Sequence, residues 1–546
     1  MVVWSLKTLS RFLTVSGLLA IAVASDNASS AAHIVDLGYA KYAGNLSYSN
    51  TVAYLGLPYA EPPVGDRRFR APLPLNTARV HDQTGGKVVD ATSYPEPCIQ
   101  GTTGAGDAGG AGSEDCLKVN VYAPAGAKKG DKLPVLVYIH GGGYRYGNPA
   151  NWPFDHWVNQ VPHVVIVSVY YRLTSFGFLS HPAFASNPSL ADLNAGFLDQ
   201  TEALRWVQKH IDAFGGDPHR VTINGQSAGA SSVELHLVAP NQDGLFHGAI
   251  AQSVYRTPLP SPQQQEPLFN HYAAQAGCGS GSISTQIACL RNASISAIAR
   301  AEDAPFNGSY NSFVPVIDGK SITEFPTVSL LNGRFQRVPL IVGATSNETS
   351  GGSGSIPDVL HSLFPGLSDT DLQRFEQEYP LSDFSSPEEQ HRTAAGESEF
   401  RCGREIMGNA YASAKTTAYA YRYNQANPTT SPPGIVEHAA ENWMMFKGTN
   451  TGFNGTTTFS PMTPLENAFA SELIAYWLSF VRTGNPNTFK LARSPEWPQF
   501  TTKNKVRIVL QEWNSTVSSG NVVENDPKAQ LARCDFVASF VQKQQN

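Results

Sequence analysis

The stretch from Phe214 to Gly229 narrows the folds open to this chain more than any other. It reads Phe-Gly-Gly-Asp-Pro-His-Arg-Val-Thr-Ile-Asn-Gly-Gln-Ser-Ala-Gly. Residues 221–224 have the apolar character of a buried strand, and a helix-compatible run starts near Ser227. A strand that passes through a tight turn straight into a helix belongs to a helix-covered, mostly parallel sheet. The turn is Gly-x-Ser-x-Gly, made of Gly225, Gln226, Ser227, Ala228 and Gly229. A serine becomes a strong nucleophile only where its hydroxyl is exposed and a base can reach it. The sharp turn exposes the hydroxyl but crowds the backbone two residues to either side, where Gly225 and Gly229 have no Cβ to clash. The helix that begins there offers free N–H groups to a developing oxyanion. An ordinary Gly/Ser turn shares the pentapeptide; the strand before and the helix after favour the nucleophile.

The rest of the chain repeats the strand–helix alternation. Residues 133–139 form an apolar run typical of a doubly covered strand. It ends in His140-Gly141-Gly142-Gly143-Tyr144, where glycines let backbone N–H groups approach a ligand, or simply form a hinge. Residues 164–170 read as another buried strand. A helix follows from about Asp199, with Leu204, Val207, Ile211 and Phe214 at helical spacing. Short strands are expected at 249–252 and 338–342. Glu348 lies just past the second of these, on the rim where parallel sheets bind ligands; the alternative is a solvated loop glutamate. Residues 353–415 are polar and helical, and 417–423 alternate like a strand. In folds of this type the acid follows the serine and the histidine comes last. Only His361, His391 and His438 follow Glu348. The first two lie among polar helical residues that read as surface. His438 follows a strand and the Pro432-Pro433-Gly434 turn. Thr463-Pro464-Leu465-Glu466 carries a capping box and opens the last strong helix.

The string around Ser227 resembles, at nearly every defined position, the serine signature of the type-B carboxylesterase/lipase family, which includes cholinesterases and fungal lipases. Other segments are similar to that family too. Gly-Leu-Pro-Tyr-Ala-Glu-Pro-Pro-Val-Gly-Asp-Arg-Arg-Phe-Arg-Ala-Pro resembles its N-terminal signature. Glu114–Pro124 matches its second signature, except that Lys118 stands where an aromatic residue or Thr is usual. The resemblance implies an α/β-hydrolase fold: a central, mostly parallel sheet flanked by helices, with long insertions. It implies structural ion pairs Arg68–Glu114 and Arg172–Asp199; for Arg68 the residues alone fit a solvated arginine cluster equally well. It further implies an oxyanion hole from the N–H groups of Gly142, Gly143 and Ala228. Glu348 sits in a loop of the form Gly-x-x-x-x-Glu. His438 resembles the histidine of Gly-x-x-His-x-x-Glu, with Gly434 one residue further away than usual. Ser253 is expected near the acid, though Val254 replaces the usual glycine and an ordinary strand-end serine fits as well. The implied chemistry is serine ester hydrolysis through an acyl-enzyme, with Ser227, Glu348 and His438 as the triad. The expected disulfides are Cys98–Cys116, Cys278–Cys289 and Cys402–Cys534.

Residues 1–24 read as a secretory signal: Lys7 and Arg11, an apolar run, then Ala22-Val23-Ala24. Residues 25–546 are then expected to form one α/β-hydrolase domain. Six cysteines and sequons at Asn27, Asn45, Asn292, Asn307, Asn347, Asn454 and Asn514 suit export. No later apolar run reaches spanning length, so no stable membrane anchor is expected. A net charge of −6 and the lack of basic runs argue against nucleic acid. No His/Cys/Asp cluster has ligand spacing, so no metal or organic cofactor is expected. The expected partner is a small ester; nothing in the sequence sets an oligomeric state. Two other readings compete. One is a triacylglycerol or sterol-ester lipase of the same family. In such lipases the loop between the first two bridged cysteines is a lid, which needs a broad apolar face. Here that loop, 99–115, has six glycines in its middle and Ile99 as its one large apolar residue, so soluble short- to medium-chain esters are expected. The other is a non-catalytic binding ectodomain, which would lack a member of the triad. Choline esters are disfavoured: Gln226 replaces the cholinesterase glutamate, and no Trp lies between Cys98 and Cys116 to hold a cation.

Overall fold

Parallel strands need crossovers, and the helical segments between the apolar runs supply them. The computed structural model describes residues 33–101, 111–349, 354–452 and 455–546. The leader read at 1–24, Asn27, Asn454 and the glycine-rich middle of the Cys98–Cys116 loop lie outside them. A 13-stranded sheet organises the described residues. The strands that position the site are β1 Thr51–Pro58, β2 Lys118–Pro124, β3 Leu133–Ile139, β4 Val165–Val169, β5 Gly216–Gln226, β6 Gly248–Gln252, β7 Leu340–Thr345, β8 Ala418–Tyr423, β9 Val506–Leu510 and β10 Val522–Asn525. Their order across the sheet is β1-β2-β4-β3-β5-β6-β7-β8-β9-β10. Every neighbouring pair from β4 to β9 is parallel. Antiparallel pairing closes both flanks. The order reverses between β3 and β5, so the loops leaving those two strands diverge to opposite faces and open a crevice between them. The glycine loop follows β3 and the serine turn follows β5.

β3 and β4 bury both faces, which explains their unbroken apolar runs. β5 starts earlier than its apolar part suggests, because Asp217-Pro218-His219-Arg220 reads as a turn yet is extended at the strand's start. β8 is buried on both faces, with Ala and Tyr alternating. That alternation is of size rather than polarity. The helix Ala195–His210 precedes β5 and buries Leu204 and Val207. Its apolar stripe continues into a tighter 3₁₀ turn, Ile211–Phe214, which Gly215 ends in the left-handed conformation. The insertion after β7 folds as Ile356–Leu363, Asp369–Glu378, Pro387–Gly396, a π-helical turn Glu397–Arg401, and Cys402–Ser413. Thr463 and Glu466 form the reciprocal cap of Pro464–Thr483, and Gly484 ends that helix.

Disulfides join Cys98 to Cys116, Cys278 to Cys289 and Cys402 to Cys534. Arg68 holds Glu114 with two bonds, of 2.6 and 2.7 Å, and donates to the carbonyls of Leu290 and Ala293. Arg172 and Asp199 make a fully buried fork at 2.8 and 2.6 Å. Fork geometry satisfies both oxygens of each carboxylate, which is what makes burial of the charge tolerable. His33–Asn546 packs as one compact unit. Among the described residues, no helix is long and apolar enough to cross a membrane.

Candidate active site

β5 ends at Gln226, and the next helix, Ala228–Val238, starts two residues later. Ser227 makes the whole turn, at φ 59° and ψ −126°. Such a conformation costs on the order of 1–3 kcal/mol for a residue with a side chain and persists only when its surroundings hold it. Ser227 N–H donates to the Gln252 carbonyl at 2.9 Å, and the Ser227 carbonyl accepts from Ser231 at 3.0 Å. A Cβ at position 225 would collide with the Gly229 carbonyl, and one at 229 with the Ile139 carbonyl. The two glycines therefore let the turn close and let the helix press onto β3. Ser227 is 7 % exposed and borders a cleft of about 340 Å³.

Gly142, Gly143, His438, Glu399 and Phe400 line the same cleft. The glycine loop is braced from behind. His140 stacks between Trp152 and Tyr171, with ring centroids 5.8 and 4.5 Å away, and its carbonyl accepts from the Tyr171 hydroxyl. Burial lowers the His140 pKa to about 4, so this ring is a neutral prop. Gly142 has φ 106°, which favours glycine. The N–H groups of Gly142, Gly143 and Ala228 have no acceptor among the described residues. Ala228 is the first residue of its helix, so its N–H has no partner within that helix.

Glu348 leaves β7 at φ 65° and is 2 % exposed. Its carboxylate is saturated. Oε1 accepts from Thr345 N–H at 2.6 Å and from the Ser253 hydroxyl at 2.7 Å, while Oε2 meets His438 Nδ1 at 2.6 Å. His438 N–H donates to the Glu348 carbonyl at 2.7 Å, so backbone and side chain dock the two loops together. With Nδ1–H committed to Glu348, Nε2 is the free base. Burial disfavours charge on His438. The hydrogen bond that His438 donates to Glu348 and the charges of Glu348, Glu441 and Glu399 outweigh it and raise the pKa above the ordinary imidazole value. Glu441 is buried with neither oxygen bonded among the described residues, and burial pushes its pKa up to about 7.

His438 Nε2 faces the Gln226 amide nitrogen at 3.3 Å, and Asn442 donates to the Gln226 oxygen, which turns that nitrogen toward the ring. The Ser227 hydroxyl makes no hydrogen bond among the described residues. Bonds of this kind often tighten only when substrate binds. His391 lies by contrast in the helix Pro387–Gly396, and His361 is exposed. The sequence left Ser253 undecided; its hydroxyl reaches Glu348. It gave no sign of Glu399, which sits in an unpatterned polar stretch.

The model of the carboxylesterase family matches residues 32–530. The chain is 31% identical over 500 residues to an acetylcholinesterase of Bungarus fasciatus, covering 84% of this chain and 79% of that one. It is 32% identical over 485 residues to an acylcarnitine hydrolase of Mus musculus, covering 82% and 81%. Among solved structures, Aspergillus niger EstA superposes with a TM-score of 0.81 at 31% identity, covering 94% of this chain and 99% of that one. With that match over nearly its whole described length, this chain belongs to the carboxylesterase family and is a carboxylic ester hydrolase.

Proposed function

We propose that the chain is an exported serine esterase that hydrolyses soluble short- to medium-chain esters through a Ser227–His438–Glu348 triad. The observation that carries the reading is the meeting, in one cleft, of an elbow serine, a histidine whose Nδ1 is tied to a saturated buried carboxylate, and backbone N–H groups that have no acceptor among the described residues. His438 Nε2 takes the Ser227 proton once the Gln226 amide gives way. Ser227 Oγ bonds to the ester carbonyl carbon, and the carbonyl oxygen becomes an anion facing Gly142, Gly143 and Ala228. Each such donor is worth about 3 kcal/mol of transition-state stabilisation. Glu348 stabilises the imidazolium without taking its proton. The C–O bond then breaks, and His438 hands the proton to the leaving alcohol. Water, deprotonated by His438, repeats the sequence on the acyl-enzyme and frees the acid.

The leader at 1–24 and the three disulfides support export, and we read 25–546 as a single catalytic domain. Asn347 is a poor glycan acceptor on this reading, since its side-chain oxygen accepts from Val436 N–H at 2.8 Å beside Glu348. Polar residues on the cleft wall, Tyr310, Asn311 and Ser312 among them, support soluble esters over fats. The relative named as an acetylcholinesterase does not carry its substrate here, because a neutral glutamine, Gln226, precedes the serine. The test is initial rate against tributyrin concentration. A smooth saturation curve below the solubility limit is expected; a sharp rise at the onset of emulsion, with preference for long-chain triglycerides, would instead make the chain a lipase.

A further inference from the structure

Among the described residues, Glu399 is the one carboxylate that lines the cleft with Ser227 and His438, and its side chain makes no hydrogen bond or ion pair there. It lies in the π-helical turn Glu397–Arg401, a rare geometry that recurs at functional sites. The turn is held firmly around it. Glu397 points the other way and is paired with Arg533 at 2.7 and 2.8 Å. The Glu399 carbonyl accepts from Arg256 N–H at 2.8 Å. Phe400 packs on the His438 ring with centroids 4.2 Å apart and stacks on Tyr255 at 5.5 Å. The backbone is therefore fixed on both sides, while the Glu399 side chain makes no hydrogen bond or ion pair among the described residues.

Arg256 also lines the cleft, and its guanidinium is committed to the Ser398 carbonyl at 2.8 Å and to the Asn546 side chain at 2.6 Å. A half-buried carboxylate left without a donor is costly, and the cost shows in its titration. Burial pushes the Glu399 pKa up to about 7; His438 opposes the shift and Glu348 adds to it. What would satisfy this oxygen pair has to come from the contents of the cleft.

We propose that Glu399 is a specificity-determining residue that binds a hydroxyl group on the ester substrate, so that the enzyme selects hydroxylated esters over plain ones of the same size. A hydroxyl suits the site better than an ammonium, because it can donate to the ionised carboxylate or accept from the protonated one. The proposal rests on the reading of Ser227 and His438 as the reacting pair, since that pair fixes where the ester lies.

The hydroxyl could sit on the alcohol or on the acyl part, and two matched pairs separate these sources. Glycerol monobutyrate against propyl butyrate tests the alcohol side. Ethyl 4-hydroxybutanoate against ethyl butanoate tests the acyl side. kcat and KM are measured for wild type, Glu399→Ala and Glu399→Gln, with active sites counted by phosphonate titration. The wild type is expected to favour the hydroxylated member of one pair. Glu399→Ala should lower that preference about tenfold, mainly through KM, because a site built around a substrate hydroxyl loses its discrimination when the partner goes. Glu399→Gln, which keeps shape and an acceptor oxygen, should retain part of the preference and decides the matter if the alanine variant does not fold. No wild-type preference in either pair, or a preference unchanged in the variants, overturns the proposal. Loss of hydrolysis of both members in Ser227→Ala tests the triad separately and is independent of either result.

Discussion

The floor of the cleft and its wall are built on opposite terms. The floor hangs from the sheet: Ser227 from β5, Glu348 from β7, His438 from the loop after β8. Its backbone is strained and over-determined, with positive φ at Ser227, Ser253 and Glu348, and every oxygen of Glu348 is bonded. The wall comes from insertions and loops, and two of its charged groups, Arg145 and Glu399, make no hydrogen bond or ion pair among the described residues. Over-determined geometry suits bond making, which loses rate steeply when reacting atoms are misplaced. Polar groups left unsatisfied suit recognition, because the ligand completes them. On the proposed triad and the proposed role of Glu399, the difference separates how the cleft reacts from what it selects. Changes in the floor should scale all esters alike, and changes in the wall should reorder them.

The largest effect should come from the floor. Glu348→Gln keeps the shape and removes the charge, and should cut kcat by about a thousandfold or more for every ester in a panel. A loss confined to some esters would break the division. Next comes the fold's own bracing. Cys402–Cys534 ties the helix Lys528–Ala538 to Cys402–Ser413, the helix that follows the π turn. Replacing both cysteines by serine should cost about 2–5 kcal/mol in denaturant melts. Ester selectivity should then shift in the folded fraction, because this bridge anchors the wall; unchanged selectivity would show that the π turn holds without it.

The smallest effect is in the pH profile. On the proposed triad, activity needs neutral His438, so kcat/KM should rise with pH through the His438 pKa, which lies above the ordinary value of about 6.5. Glu441 favours the imidazolium only in its ionised fraction, because burial lifts its own pKa to about 7; Glu441→Gln removes that fraction, so the acid limb should move to lower pH. The shift should be under about one unit, since Glu348 supplies the larger part. An upward shift in that variant would contradict the electrostatic account of the floor.

The floor was more legible in the sequence than the wall, for a physical reason. A strand, a glycine-flanked turn and a helix are dictated by neighbours within a few residues, so Ser227 could be singled out from local pattern, whereas Gly142 and Gly143 took their expected role from the family resemblance. Glu348 and His438 could be singled out because parallel sheets place ligands past strand ends. Ser227, Glu348 and His438 are far apart in sequence, yet the structure brings Ser227 and His438 to one cleft, with Glu348 buried behind the histidine. β3 was readable because both its faces are apolar, whereas the first half of β5 was hidden by Asp217 and Pro218. Glu399 was invisible. It lies in a polar helical stretch with no periodicity to mark it, and only tertiary packing, in which its neighbour Phe400 docks on His438 and Tyr255, brings this turn to the cleft. The Gln226 contact with His438 is likewise tertiary, set by the docking of one loop on another.

The central claim is that one serine, held on the turn after β5, does the covalent chemistry. The direct measurement is labelling with an alkyl phosphonate ester, followed by peptide mapping and a parallel assay of Ser227→Ala. Stoichiometric label on the peptide that contains Ser227, with label and hydrolysis both lost in a folded Ser227→Ala protein, is the predicted result. Label on another serine, or substantial hydrolysis by the folded variant, would contradict the account.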